Sequence, residues 1–208
     1  MIIPVTPFQQ NCALVWNEDT RIGAVIDPGG DVDMIRKAIA QAQVTVEKIL
    51  LTHGHIDHAG GAAELRDQLK VPIEGPQAKD AFLLDNLPKS GAQYGYEARA
   101  FTPDRWLAEG DKVTVGGLDF AVLECPGHTP GSVVLFNNEH RFCFMGDVLF
   151  QGSVGRTDFP YGDHETLIAS IRDKLLPLGD DVAFLPGHGP ASTIGEERQS
   201  NPFLTEIS

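Results

Sequence analysis

The sequence predicts an α+β fold, an αββα sandwich in which two mixed sheets pack face to face with helices on the outside. Three observations carry this expectation. Short runs rich in Ile, Val and Leu recur between turn signals at 12–16, 22–26, 46–51, 118–124, 132–136, 141–145 and 182–185, with the length and composition of strands. Helical patterns fall among them at 31–43, 60–70, 77–87 and 164–176, without the strict alternation that a doubly wound parallel sheet requires. A length of 208 residues suits one core, so 1–208 is read as a single domain.

In chain order, Asp31 stands before the first helical pattern and Asp163 before the last, each as an N-cap. The strand VEKILLT runs directly into HGHIDH, His53 to His58, ahead of a helix opening at Gly60 and Gly61. Residues 88–105 combine Pro, Gly and Ser with weak periodicity and read as an irregular insertion bordering the site. The strand at 118–124 ends in a Pro-Gly turn holding His128, the strand at 141–145 meets Gly-Asp at Asp147, and the strand at 182–185 gives way to LPGHGP around His188.

Composition narrows the function. A net charge of −13 argues against a nucleic-acid substrate, which needs a concentrated basic surface. No apolar run is long enough to span a bilayer, so no membrane partner is expected. The opening MIIPVTPFQQN has no basic leader or cleavage site, which makes the cytoplasm the expected location. Cys12, Cys125 and Cys143 form no CxxC pair and are expected as buried free thiols.

Three histidines and an aspartate within six residues at a strand end are the donors a metal ion takes. A turning loop lets His53 and His55 share one ion while Asp57 and His58 face a second. His128 and His188 repeat the placement of one imidazole in a Gly/Pro turn, and the Asp147 carboxylate can bridge two cations. His140 and His164 lie in polar surroundings and are read as surface residues.

The ordered set HGHIDH, PGHTPG, GD and GHGP resembles the metallo-β-lactamase superfamily, over nearly the whole chain. The resemblance implies the αββα sandwich. It also implies one metal on His53, His55 and His128, another on Asp57, His58 and His188, Asp147 bridging both, and Asp27 orienting the ligand loop. GSVGRTDFP and the tail ERQSNPFL are similar to glyoxalase-II-type thioesterases, particularly short bacterial YcbL-type hydroxyacylglutathione hydrolases. That likeness implies hydrolysis of S-lactoylglutathione to lactate and glutathione by a metal-bridging hydroxide, with Asp57 as the catalytic carboxylate and Arg156 and Asp158 near the site. The implied cofactors are two divalent ions per chain, zinc first, with iron or manganese suiting the same donors. About twenty residues follow His188, which leaves no room for the C-terminal helical domain that supplies glutathione contacts in full-length members. Lys89, Arg99 and Arg105, with Tyr94 and Tyr96, are the candidate replacements. Persulfide dioxygenases with one iron, and lactone or β-lactam hydrolases, are the alternative readings within the same resemblance; nothing in the sequence sets the oligomeric state.

Overall fold

The computed structural model describes residues 1–205. The first sheet contains β1 (Ile2–Val5), β2 (Gln10–Trp16) and β3 (Ile22–Ile26), joined as antiparallel neighbours. Helix α1 (Val32–Ala42) then crosses over to β4 (Thr45–Leu50), which lies parallel to β3. Helices α2 (Ile56–Ala59) and α3 (Ala62–Leu69) lead to β5 (Ile73–Glu74), parallel to β4 at the sheet edge. Two short helices follow, α4 (Ala81–Asp85) and α5 (Leu87–Tyr94), before the second sheet begins.

That sheet is built from β6 (Lys112–Val115), β7 (Leu118–Glu124), β8 (Val133–Asn137) and β9 (Phe142–Gly146), all antiparallel in sequence order. A small hairpin of β10 (Leu149–Phe150) and β11 (Ser153–Val154) and helix α6 (His164–Ser170) intervene. Then β12 (Ala183–Pro186) adds parallel to β9, and β13 (Ser192–Thr193) closes the edge before α7 (Ile194–Ser200). Both sheets are therefore mixed.

Three apolar layers hold the sandwich together. Ala24, Ile26, Leu50, Val113, Phe120, Val122, Leu135 and Phe144 fill the space between the sheets. Ile35 and Ile39 of α1 and Leu65 of α3 cover the outer face of the first sheet, and Leu167, Ile171 and Leu175 cover the second. Because β8 is covered on both faces, all five of its residues are buried and its sequence VVLFN shows no polar alternation.

Strand direction places the functional loops. In the first sheet β3 and β4 run the same way, and in the second β7, β9 and β12 do. Their carboxyl ends carry Asp27, His53–His58, His128, Asp147 and His188 to one edge of the sandwich. Backbone bonds stitch the sheets together there: Val133 N–H donates to Thr52 O at 2.8 Å and Asn11 N–H to Gly187 O at 2.8 Å.

The structure differs from expectation in three places. The HGHIDH segment is only half loop, since Asp57 and His58 lie on α2 rather than ahead of a helix starting at Gly60. Asp31 has φ 49° and makes no side-chain cap to α1; its carboxylate accepts instead from Thr6 N–H, tying α1 to the loop after β1. Within 88–105, the stretch to Tyr94 continues α5 rather than being irregular, with Pro88 in its first turn.

Candidate metal centre

Five imidazoles converge at the sandwich edge, each with one ring nitrogen engaged outward and the other facing a common centre. His53 Nδ1 lies 3.1 Å from Thr52 Oγ1, whose own proton goes to Asp27 Oδ2 at 2.6 Å. The hydroxyl therefore accepts from Nδ1–H and leaves the lone pair on Nε2. His58 Nδ1 lies 2.9 Å from the same Asp27 oxygen, His128 Nδ1 2.8 Å from Arg156 O, and His188 Nδ1 3.2 Å from Phe8 O. His55 is turned the other way, with Nε2 2.9 Å from the Tyr161 hydroxyl and Nδ1 inward. Fixing one ring nitrogen in this way sets the tautomer of the other.

The inward atoms form two overlapping groups. His55 Nδ1 is 3.1 Å from His53 Nε2 and 3.0 Å from His128 Nε2. His188 Nε2 is 3.1 Å from Asp57 Oδ2, and His58 Nε2 is 4.0 Å from that oxygen. Asp147 lies between: Oδ1 is 3.3 Å from His58 Nε2, and Oδ2 is 3.6 Å from His128 Nε2 and 3.7 Å from His188 Nε2. The donor atoms of His53, His55 and His128, of Asp57, His58 and His188, and of His53, His58 and Asp147 each fall within 4.8 Å of one another.

A divalent cation fits this arrangement on two counts. His58 Nε2 and Asp147 Oδ1 are buried and have no hydrogen-bond partner, although buried polar atoms are ordinarily satisfied. The protonation tendencies also suit it. Burial, then the neighbouring histidines, holds the His53 pKa well below the ordinary value, and burial with His128 lowers His55 to about 3, so both rings are neutral donors. Burial opposes charge on Asp147, yet His58, His128 and His188 pull its pKa down and keep it ionised. Burial likewise opposes a proton on His58, but Asp147, Asp27 and Asp57 outweigh it and hold the pKa well above normal, so a cation there meets a field already negative.

Backbone approach makes the cluster this tight. A Cβ on Gly187 would lie 2.1 Å from Asp147 Oδ1 and 2.5 Å from His58 Cε1, so only glycine lets the His188 loop pass beneath those donors.

Several flanking residues were not apparent from sequence. Asp80, fully buried, accepts from Gly54 N–H, Gly131 N–H and the Thr129 hydroxyl. Gln10, also fully buried, sets its side-chain amide 3.5 Å from His58 Nδ1. Phe159 stacks on Tyr161 at 5.4 Å and lies 5.0 Å from the His55 ring, while Phe82 meets Tyr161 edge-on at 5.1 Å. On another side Phe8 packs edge-on against Tyr94 at 5.1 Å.

The sequence candidates for substrate contact divide. Arg156 and Asp158 form an exposed two-point pair at 2.9 and 2.8 Å, and the guanidinium lies 5.0 Å from the Phe159 ring centroid. The Asp158 pairing pushes the Arg156 pKa further up. Arg99 pairs instead with Asp67 at 2.8 Å, and Arg105 with Glu74 and Asp111 at 3.3 and 3.1 Å. Lys89 is exposed on α5, about 140° around that helix from Tyr94. Tyr96 is half-buried, with its hydroxyl unpartnered. His140 bonds Asn137 and His164 packs on Phe203, both apart from the cluster.

Comparison with known proteins gives a consistent picture. Residues 5–188 match the family model of the metallo-beta-lactamase superfamily. The hydroxyacylglutathione hydrolase GloC of Haemophilus influenzae is 49% identical over 209 residues, covering 100% of this chain and 98% of that protein. Among solved structures, the B3 metallo-beta-lactamase BLEG-1 is 39% identical with a TM-score of 0.90, covering 99% of both chains. TTHA1623, in a di-iron-bound form, is 35% identical with a TM-score of 0.88, covering 98% of this chain and 100% of that one.

Proposed function

The chain belongs to the metallo-β-lactamase superfamily, a family of metal-dependent hydrolases, and from that premise we propose that it hydrolyses a glutathione thioester, S-lactoylglutathione, to lactate and glutathione. The observation that carries this reading is the paired donor geometry at an aromatic mouth with one cation on its rim. The 49% likeness to a hydroxyacylglutathione hydrolase across the full length supports the choice of substrate.

In this reading His53, His55 and His128 would hold one ion and Asp57, His58 and His188 the second, with Asp147 supplying a carboxylate between the two groups. Such ions, when bound, acidify water to a pKa near ~7 and polarise a carbonyl. The remaining chemistry belongs to the chain. Asp57, half-buried and held ionised against that burial by the neighbouring His58 and His188, would orient the attacking water by accepting its hydrogen bond. Phe159, Tyr161 and Phe82 wall one side and Phe8 and Tyr94 another, narrowing the approach to an extended substrate. Arg156 offers the mouth a positive charge for a carboxylate of the glutathione moiety. A thiol has a pKa near ~8.5, so the product leaves as a thiolate without a strong general acid.

Anaerobic assay of the purified protein tests this. Release of free thiol from S-lactoylglutathione without oxygen consumption is the expected result. Oxygen uptake with glutathione persulfide and no thioesterase activity would move the protein to the dioxygenases. A second reading, β-lactam hydrolysis, is favoured by the likeness to BLEG-1, and turnover of a β-lactam at rates above the thioester's would select it.

A further inference from the structure

Asp80 has no place in the chemistry above, yet it is a carboxylate with no exposed surface, and buried charges are retained only where they are fully bonded. It closes a 3₁₀ turn at Ala78–Asp80 and sends its side chain between two loops of opposite sheets. Oδ2 accepts from Gly54 N–H at 2.9 Å and from the Thr129 hydroxyl at 2.7 Å, and Oδ1 accepts from Gly131 N–H at 2.6 Å. Gly54 stands between His53 and His55, while Thr129 and Gly131 follow His128.

The backbone is shaped to let this happen. A Cβ on Gly131 would lie 2.8 Å from Asp80 Cγ and 2.6 Å from Gln77 O, and a Cβ on Gly54 would lie 2.8 Å from Leu83 Cβ. The His128 loop thus approaches the carboxylate, and the His53–His55 loop the helix that follows Asp80, as closely as glycine permits. A further bond from Gln77 N–H to Gly131 O at 3.1 Å doubles the tie on one side. The other triad has its own support: Asp27 binds His58 directly and reaches His53 only through Thr52.

We infer that Asp80 is a positioning residue that locks the His53–His55 loop to the His128 loop and so sets the affinity of the triad His53, His55 and His128 alone, leaving Asp57, His58 and His188 to hold their ion independently. This rests on the two-ion reading proposed above. Groups that orient metal ligands in this indirect way typically contribute roughly 10–100-fold in metal affinity.

The test is zinc retained per chain when the zinc-loaded protein is dialysed against a graded chelator series. Asp80→Asn, close to isosteric, replaces an acceptor by an amide that faces donors. One of two zinc ions should leave at roughly 10–100-fold weaker chelation than in wild type, the other at unchanged strength. Thr129→Val removes one donor and keeps the carboxylate; it should weaken the same ion to a smaller extent, and it carries the test if Asp80→Asn does not fold. Placement comes from two backgrounds, since coupled groups fail to add. In His188→Ala protein Asp80→Asn should weaken the remaining ion, and in His128→Ala protein it should change nothing further. Equal loss in both backgrounds, or none in His188→Ala, would overturn the inference. Wild-type protein retaining a single zinc fails the two-ion reading instead, and Asp80 is then judged by that ion alone.

Discussion

Of the imidazoles whose outward partner is a side chain, His55 reaches farthest along the chain: Tyr161 lies 106 residues away, with its hydroxyl 2.9 Å from Nε2. Inward Nδ1 must be unprotonated to act as a donor, so Nε2–H donates to Tyr161. Burial pushes the phenol up to about 12, which keeps it neutral and able to accept. Tyr161→Phe preserves the stack on Phe159 but removes the acceptor. Zinc affinity or turnover should fall roughly 10–100-fold with thermal stability nearly unchanged, read by chelator competition and steady-state kinetics. Unchanged values of both would assign Tyr161 to the wall only. That His53, His128, Asp147 and His188 converge was readable from the sequence because each sits where an apolar run meets a glycine or proline turn, whereas Asp57 and His58 come in on helix α2. Tyr161, Asp80 and Thr52 were not readable there, because their value lies in contacts between segments far apart in the chain, and each alone reads as an ordinary loop, cap or strand-end residue.

Among the elements, the strands with strong apolar runs matched expectation, whereas β1, β5, β6, β10, β11 and β13, of two to four residues each, were too short to show periodicity. Helix α5 was hidden for a related reason. It has eight residues, buries only Leu87 and Gly91, and contains a glycine where a helix former is expected; Gly91 is required because a Cβ there would lie 2.5 Å from Tyr96 O. Its end carries Tyr94 against Phe8, whose carbonyl meets His188, while Arg156 lies over Phe159 beside His55, so the cations proposed together for substrate contact divide by location. Arg156→Ala should raise KM for S-lactoylglutathione several-fold with little change in kcat, the pattern of lost uniform binding. Arg99→Ala and Arg105→Ala should leave KM within error: all three guanidinium groups are paired with carboxylates, but only that of Arg156 lies over Phe159, the ring beside His55, whereas Arg99 and Arg105 sit with Asp67, Glu74 and Asp111. A KM raised as much by Arg105→Ala as by Arg156→Ala would contradict this placement of the mouth.

For the whole molecule, two sheets of opposite outer cover meet along one apolar layer, and the carboxyl ends of five strands share an edge. The αββα architecture was legible because helices punctuate the strand runs without alternating with them; the pairing order β13-β12-β9-β8-β7-β6 was not, since parallel β9 and β12 are brought together only by tertiary packing. Among the described residues no helix is long and apolar enough to cross a membrane. All three cysteines, Cys12, Cys125 and Cys143, are buried and free. Burial raises each thiol, Cys125 to about 12, so little thiolate forms at pH 8. The folded protein should therefore react negligibly with a thiol reagent at that pH and show three thiols once denatured, so the same reagent reports product glutathione rather than the enzyme. Rapid labelling of folded protein would contradict the packing of these layers. The most direct measurement is zinc titration of metal-free protein with S-lactoylglutathione hydrolysis followed at each addition. Full activity should require about two zinc ions per chain, and in Asp57→Ala protein both the second ion and turnover should be lost together. Full activity reached at one ion per chain, or retained by Asp57→Ala, would contradict a thioesterase built on paired metal subsites.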